Sequence, residues 1–108
     1  IMEVDKTKIQ AVWDKGKPVD GYDPHRWRKD KCGAWLFKIR YGDRDSEWGW
    51  VIHRIDSNNG DELSNLIPLH TKNSVVTGDG PLQCPVKASE PVYSDHRVLV
   101  SGGRNTGV

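Results

Sequence analysis

The residues best suited to carry out a reaction lie in one short part of the chain, between positions 53 and 74. They are two histidines, an arginine, an asparagine and a serine, namely His53, His70, Arg54, Asn65 and Ser74. Histidine titrates near neutral pH, so it can act as a general base or as a metal ligand.

Two predicted strands, a loop and the start of a helix position these residues. Residues 49–55 and 63–69 are apolar stretches, and residues 56–61 are rich in the Asp, Asn and Gly typical of turns. The polar segment that opens at residue 70 is able to start a helix. The side chains expected to face a core are Trp50, Ile52 and Ile55 on the first strand and Leu66 and Leu69 on the second.

Ahead of this unit the sequence predicts a helix and a hairpin. Asp5 or Thr7 can cap a helix that runs to about Lys15, with one apolar face formed by Ile9, Val12 and Trp13. From residue 32 to 41 apolar and basic residues alternate, which predicts a strand with Lys38 and Arg40 on its outer face. A turn at residues 42–43 leads to a returning strand at residues 48–55.

From residue 12 to about residue 80 the order of short sequence words resembles a known family. The words are VWDKG at 12–16, GYDP at 21–24, WRKD at 27–30, CGAW at 32–35, YGDRDSE at 41–47, GW at 49–50, LSNL at 63–66, PLH at 68–70 and KN at 72–73. In this order and spacing they resemble the small, stand-alone HNH endonuclease-like proteins. The resemblance implies an α+β domain over residues 1–80, with an N-terminal helix, a small antiparallel sheet and a ββα-metal finger.

The resemblance also implies which positions would hold the chemistry, and there the chain departs from the family. The family's first strand typically ends Glu-Ile-Asp-His-Ile, in which Asp binds a divalent cation and His is the general base. This chain places Val51 at the Glu, His53 at the Asp and Arg54 at the His. The family's helix carries two adjacent Asn, the second a metal ligand, and here the pair is Asn73-Ser74. Because Arg stays charged at any ordinary pH, it cannot deprotonate water.

These replacements favour a catalytically inactive domain with no cofactor, which binds nucleic acid through the former active-site surface. Asn65 matches the family residue that tethers the loop, so it is interpreted as structural. Retained cations can hold a phosphate without cutting it. The predicted nucleic-acid-binding residues are Arg54, Lys72 and His70, together with Arg26, Arg28, Lys29, Lys31, Lys38 and Arg40. For residues 25–31 the alternative is that the Trp-Arg-Lys-Asp word anchors a loop.

Two other readings of the same positions remain open. A one-residue slip of the first strand would restore His53 to the base position and put Ile52 at the ligand position. The base would then be restored but the ion would still lack its carboxylate, so an active HNH-type endonuclease would need an atypical ligand set for its divalent metal. Alternatively, His53 and His70 could bind zinc, since imidazole suits that ion.

Composition and the C-terminal residues leave a third class of function open. The net charge is only +1, so the whole molecule is not a basic polyanion binder, and a protein–protein or structural module within a larger assembly is the alternative. No apolar run reaches transmembrane length, which favours a soluble, intracellular protein without a membrane partner. Cys32 and Cys84 are interpreted as isolated small hydrophobes, with a disulfide as the alternative. Residues 81–108 are expected to form an extended, partly flexible extension with an edge strand at 98–100.

Overall fold

The computed structural model describes residues 5–90, 92–93, 99–101 and 103–108. Within them the fold is a small mixed α+β arrangement with two α-helices and four two-stranded antiparallel sheets, instead of the one sheet that was predicted. The helices are α1 (Lys6–Trp13) and α2 (Thr71–Thr77). The strands are β1 (Trp27–Lys29), β2 (Trp35–Phe37), β3 (Trp50–Arg54), β4 (Leu66–His70), β5 (Lys87–Ala88), β6 (Val92–Tyr93), β7 (Leu99–Ser101) and β8 (Asn105–Thr106).

The N-terminal helix is where the sequence predicts it. The Asp5 side chain caps α1 by accepting a hydrogen bond of 2.8 Å from the backbone N–H of Thr7. The helix ends at Trp13, two residues earlier than expected, and the chain turns through Asp14. Val12 and Trp13 are fully buried, and Ile9 packs against the same core, so the predicted apolar face is confirmed.

The core is built on indole rings from distant parts of the chain. Trp13 and Trp50 meet with ring centroids 5.2 Å apart, and Val12, Leu36 and Leu66 complete the buried cluster. The Trp13 indole N–H donates to the Pro24 carbonyl, and that of Trp50 donates to the Lys38 carbonyl, each at 3.0 Å. These bonds let large aromatic groups be buried without leaving a donor unpaired.

The predicted hairpin between residues 32–41 and 48–55 is wrong. β2 pairs with β1, in the register Trp27 to Phe37, and the chain then enters a 3₁₀ turn at Lys38–Arg40. The Lys38 carbonyl accepts from the buried Trp50 indole instead of from a neighbouring strand. The strand therefore ends at Phe37 although the alternation of residue types continues beyond it, and Ile39 is 75% exposed.

The second half of the fold is the β3–β4–α2 unit. β3 and β4 pair antiparallel, with Trp50 opposite His70 and Arg54 opposite Leu66, and α2 follows β4 directly. Every residue of β4 is buried. Trp50 and Ile52 contribute to the core as predicted, so the slipped strand does not occur. The expectation for Ile55 is wrong, because β3 ends at Arg54 and Ile55 is 53% exposed.

The C-terminal residues are part of the packed structure. Cys32 and Cys84 form a disulfide, which corrects their interpretation as isolated thiols. β5 pairs with β8, and buried Asn105 bonds both backbone groups of Trp35, at 2.7 and 2.9 Å. A flexible tail is therefore wrong for residues 103–106, although the division at residue 80 stays a prediction. The predicted edge strand is found at β7, and position 98 lies outside the described residues.

Candidate functional site

His53 and Ser74 meet where β3 passes α2. The Nδ1 atom of His53 is 2.8 Å from the Ser74 hydroxyl oxygen, within hydrogen-bonding distance. Burial lowers the pKa of His53 below its usual value, and the nearby Asp79 carboxylate opposes that shift. A neutral imidazole bonded to a hydroxyl brings no anionic oxygen to this point, so the pair is poorly suited to hold a hard divalent cation.

Arg54 follows His53 on β3 and is held by the loop between β3 and β4. Its Nε and Nη2 atoms both bond the Asp61 carboxylate, at 2.8 and 2.6 Å. Both side chains remain more than a third exposed, so the pair contributes little to stability. The guanidinium group has five N–H donors, of which this carboxylate occupies two, so the others can reach an incoming anion.

Asn65 holds that loop in place. Its amide donates to the carbonyls of Asp56 and Gly60, each at 2.9 Å, and its oxygen accepts from the Asp56 N–H at 2.9 Å. Asn65 is only 7% exposed, and all three bonds are local to the loop. The geometry agrees with the structural role that the sequence predicts for it.

His70 is not available to a nucleic acid or to zinc. It is 1% exposed, its Nε2 donates to the Glu47 carbonyl at 2.7 Å, and its Nδ1 accepts from the Lys72 N–H at 3.1 Å. Burial lowers the pKa of His70, which keeps the ring neutral. His53 lies opposite Ile67 and not opposite His70, so the predicted histidine pair is not formed.

No metal-binding cluster is found in the described residues. They contain no group of three or more His, Cys, Asp or Glu side chains that could surround an ion. The zinc alternative, which depended on His53 and His70, therefore lacks its ligand pair.

The structure disperses the other predicted cations. Arg28 donates to the carbonyls of Pro24, Asp14 and Gly16 at 2.9–3.0 Å, so it anchors the loop before β1, as the alternative interpretation holds. Lys38 and Arg40 lie in the 3₁₀ turn instead of on a strand. The two other predicted arginines pair with neighbouring acids, Arg26 with Asp23 at 3.8 Å and Arg40 with Asp43 at 3.7 Å.

Lys72 lies on a different face of α2 from Ser74. Along a helix each residue turns by about 100°, so Ser74 and Thr77 share one face while Lys72 shares another with Val76. Lys72 and Val76 line a cleft with Arg44, whereas Thr77 lines a separate groove with His53. Lys72 is therefore not brought to the His53 surface, contrary to the prediction.

The groove beside His53 has a volume of about 300 Å³. Lys31 and His53 are its titratable residues, and the chain after α2 closes one side at Leu82. The sequence predicted Lys31 as a binding residue without predicting that it would face His53. We define the His53 surface as this groove together with Arg54, which follows His53 on β3 and does not itself line the groove.

Asp30 is the residue whose importance the sequence analysis missed. It is 4% exposed and accepts from the N–H groups of Cys32, Ala34 and His70 at 2.8–2.9 Å, and from the Asn73 amide at 3.2 Å. It thereby joins the turn between β1 and β2 to the start of α2. The available signal was one acid standing alone in the basic run of residues 26–31.

None of the described helices is long and apolar enough to cross a membrane.

The comparisons with known proteins add no support to the site assignments above. No protein-family model matches the chain, and neither the curated proteins nor the solved structures include a significant match.

Proposed function

We propose that this chain is a catalytically inactive HNH endonuclease-like domain that binds nucleic acid through the His53 surface. The contact between His53 and Ser74 carries the proposal. By the resemblance, these two positions would hold the two metal ligands, and in this chain their side chains bond each other. Such a contact stabilises the strand–helix packing and offers no carboxylate to an ion.

The charge at the neighbouring position supports binding without cleavage. Arg54 stands where the resemblance implies a general base, and a guanidinium cannot accept a proton from water. It can donate two parallel hydrogen bonds to a phosphate, which is the geometry that arginine suits best. Asp61 already pairs with Arg54, so a phosphate would have to compete for or share that side chain.

The resemblance to a ββα-metal finger has support from the order of elements. β3, β4 and α2 follow one another, and Asn65 secures the connecting loop from the position where the family carries its tether. An inactive descendant of a nuclease would keep the bonds that hold the loop and lose the residues that carry out the reaction, which is the pattern proposed for this chain.

Fluorescence anisotropy with a labelled duplex tests the binding surface. We expect Arg54→Gln to weaken binding and to reduce the slope of log affinity against log salt by about 1, because one phosphate contact is lost. Lys72→Gln is the matched control, since it removes one positive charge from the other face of α2. Equal weakening by the two variants would contradict the His53 surface as the binding site.

A nicking assay tests the absence of catalysis. Supercoiled plasmid is incubated with the protein and Mg²⁺, Mn²⁺, Ni²⁺ or Zn²⁺, and we expect no cleavage above the buffer control. Cleavage that disappears in His53→Ala would show an active nuclease with an atypical ligand set and would refute the inactive assignment.

A protein-binding module is the second candidate, favoured by one observation. Val75 and Val76 are 67% and 56% exposed on α2, next to a cleft of about 250 Å³ that Pro85 also lines. Adjacent exposed apolar side chains are typical of surfaces that bind partners. Failure to bind duplex or single-stranded oligonucleotides even at low salt would favour this candidate over the first.

A further inference from the structure

A second pocket, on the α1 side of the molecule, collects four lysines. It has a volume of about 330 Å³ and lies between the turn after α1, the turn between β1 and β2, and β4. Lys15 and Lys17 come from the turn after α1, Lys29 ends β1, and Lys31 lies in the turn between β1 and β2. We call this the lysine pocket.

Backbone pairing brings these two pairs of lysines together. Lys17 and Lys29 exchange both N–H to carbonyl hydrogen bonds, each at 2.8 Å, so their Cα atoms lie side by side. Lys15 reaches across to β4, where its ammonium group donates to the carbonyls of Leu63, at 2.7 Å, and Leu66. Residues separated by 12 to 16 positions thus line one cavity.

Among the residues that the structure describes, no salt bridge neutralises the positive charge of the lysine pocket. In the described part of the chain every salt bridge involves an arginine, and none of the four lysines has a carboxylate within 4.0 Å. Asp30 is the one acid that lines the pocket, and hydrogen bonds from inside the fold already occupy both of its oxygens. Four lysines therefore line a pocket that contains a single carboxylate. The Lys29 ammonium lies 4.8 Å from the centre of the Trp35 ring and that of Lys15 is bonded to two carbonyls, so Lys17 and Lys31 are the lysines without a bonded partner among the described residues.

We propose that the lysine pocket binds a phosphate group. Ammonium groups on flexible side chains are compact point charges that can converge on a small, highly charged anion. Like charges held in one cavity repel each other, and a bound anion would relieve that repulsion. The pocket's size is at the lower end of the range for small-molecule sites, which suits a phosphate compound.

The source of that phosphate is either a nucleic acid backbone or a small phosphate compound. Lys31 and Ile67 line both the lysine pocket and the groove beside His53, so the two cavities adjoin. A strand held at the His53 surface could place a neighbouring phosphate in the lysine pocket. The lysine pocket does not depend on that arrangement, because its cations would bind a free phosphate compound equally well.

Titration with pyrophosphate, followed by amide NMR in low-salt chloride buffer, tests the pocket. We expect saturable shifts of the amides of Gly16, Lys17, Lys31 and Gly33, which line or adjoin the cavity. Lys17→Gln should weaken pyrophosphate binding about fivefold, as expected for one ammonium lost at about 4 Å in a largely aqueous setting. Lys6→Gln is the matched control, since it removes the same charge from the far, exposed end of α1.

Two results would overturn the proposal. One is the absence of saturable shifts at these amides up to about 100 times the concentration of protein, and the other is equal affinity of Lys17→Gln and Lys6→Gln for pyrophosphate. Because Lys17 is exposed and makes no side-chain bond that the fold needs, its replacement is not expected to impair folding.

Competition with an oligonucleotide then identifies the source. If the oligonucleotide displaces pyrophosphate and loses affinity in Lys17→Gln, the ligand is a nucleic acid backbone. If pyrophosphate binding depends on Lys17 while oligonucleotide binding does not, the ligand is a small phosphate compound. Oligonucleotide binding that is unchanged in Arg54→Gln would count against the proposed function and would leave the pyrophosphate result unaffected, so the two failures are distinguishable.

Discussion

Replacing Asp30 by Asn should be among the most damaging conservative changes in this protein. The buried carboxylate accepts four hydrogen bonds, two on each oxygen. An amide keeps one oxygen and puts an NH₂ group in place of the other. Whichever way it is turned, the NH₂ group meets two donors, either the N–H groups of Cys32 and Ala34 or those of His70 and Asn73.

The size of the effect follows from those unpaired donors. Each buried donor left without an acceptor costs about 1–3 kcal/mol, so two of them predict a loss of roughly 2–6 kcal/mol. For a chain of this length each kcal/mol lowers Tm by about 4–8 °C. We therefore expect Asp30→Asn to lower Tm by about 10 °C or more.

Urea unfolding followed by tryptophan fluorescence measures this loss. Asp20→Asn is the matched control, since it makes the same chemical change on an exposed turn and should alter stability by less than about 0.5 kcal/mol. The slope of the unfolding free energy against urea should be the same in all three proteins if only the native state is affected. Equal stability of the two variants would refute the account of Asp30 as the hub between the β1–β2 turn and α2.

Three further predictions concern pH and the disulfide. Hydrogen bonds from Arg104 lower the pKa of Glu47 below its ordinary value of 4.5. The Glu47 carboxylate therefore stabilises the fold at pH values above 4.5, and this contribution is lost as pH falls through the pKa of Glu47 in the folded state. In urea titrations at about pH 3–6, Arg104→Gln should reduce that acid dependence. Burial lowers the pKa of His70. The contribution of neutral His70 to stability is therefore fully present above about pH 6.5 and is lost as pH drops through the pKa of His70 in the folded state. In His70→Asn this part of the pH dependence should be absent. Reducing the bond between Cys32 and Cys84, which closes a loop across a separation of 52 residues, should lower stability by about 2–4 kcal/mol, and Cys32→Ser should then be insensitive to reductant.

The disulfide bears on the compartment in which the protein works. Disulfides form and persist in oxidising environments and are rare in reducing ones. The bond between Cys32 and Cys84 therefore gives no support to the intracellular placement expected from the sequence, which stays a prediction. A measurement of free thiols in protein isolated under non-reducing conditions would decide it.

Local features were readable from the sequence because their causes lie within a few residues. The cap at Asp5 and the apolar face of α1 depend on spacings of two to four positions. The succession of β3, loop, β4 and α2 follows from apolar runs broken by turn residues, and Asn65 bonds groups five and nine positions away. For the cap and the apolar runs, residue type and short-range spacing were sufficient, whereas the role of Asn65 was expected from the family resemblance.

Errors arose where distant residues compete for the same partner. The alternation at residues 35–40 predicts a continuing strand, yet the Trp50 indole takes the Lys38 carbonyl and the strand stops. His70 has the residue type of a ligand, but the Glu47 carbonyl and the fold around it bury the ring. Trp50 is far in sequence from Lys38, and Glu47 is far from His70. Residue type alone therefore could not predict that the strand stops or that His70 is buried.

The sequence by itself determined α1, the succession of β3, β4 and α2, and the fact that Arg54 cannot act as a base in any fold. Only the tertiary structure decided which side chains meet. It joined Cys32 to Cys84, placed Ser74 against His53, and gathered lysines from two separate turns into one cavity. The physical reason is that such contacts depend on long-range packing around the buried tryptophans, which no local pattern of residue types specifies.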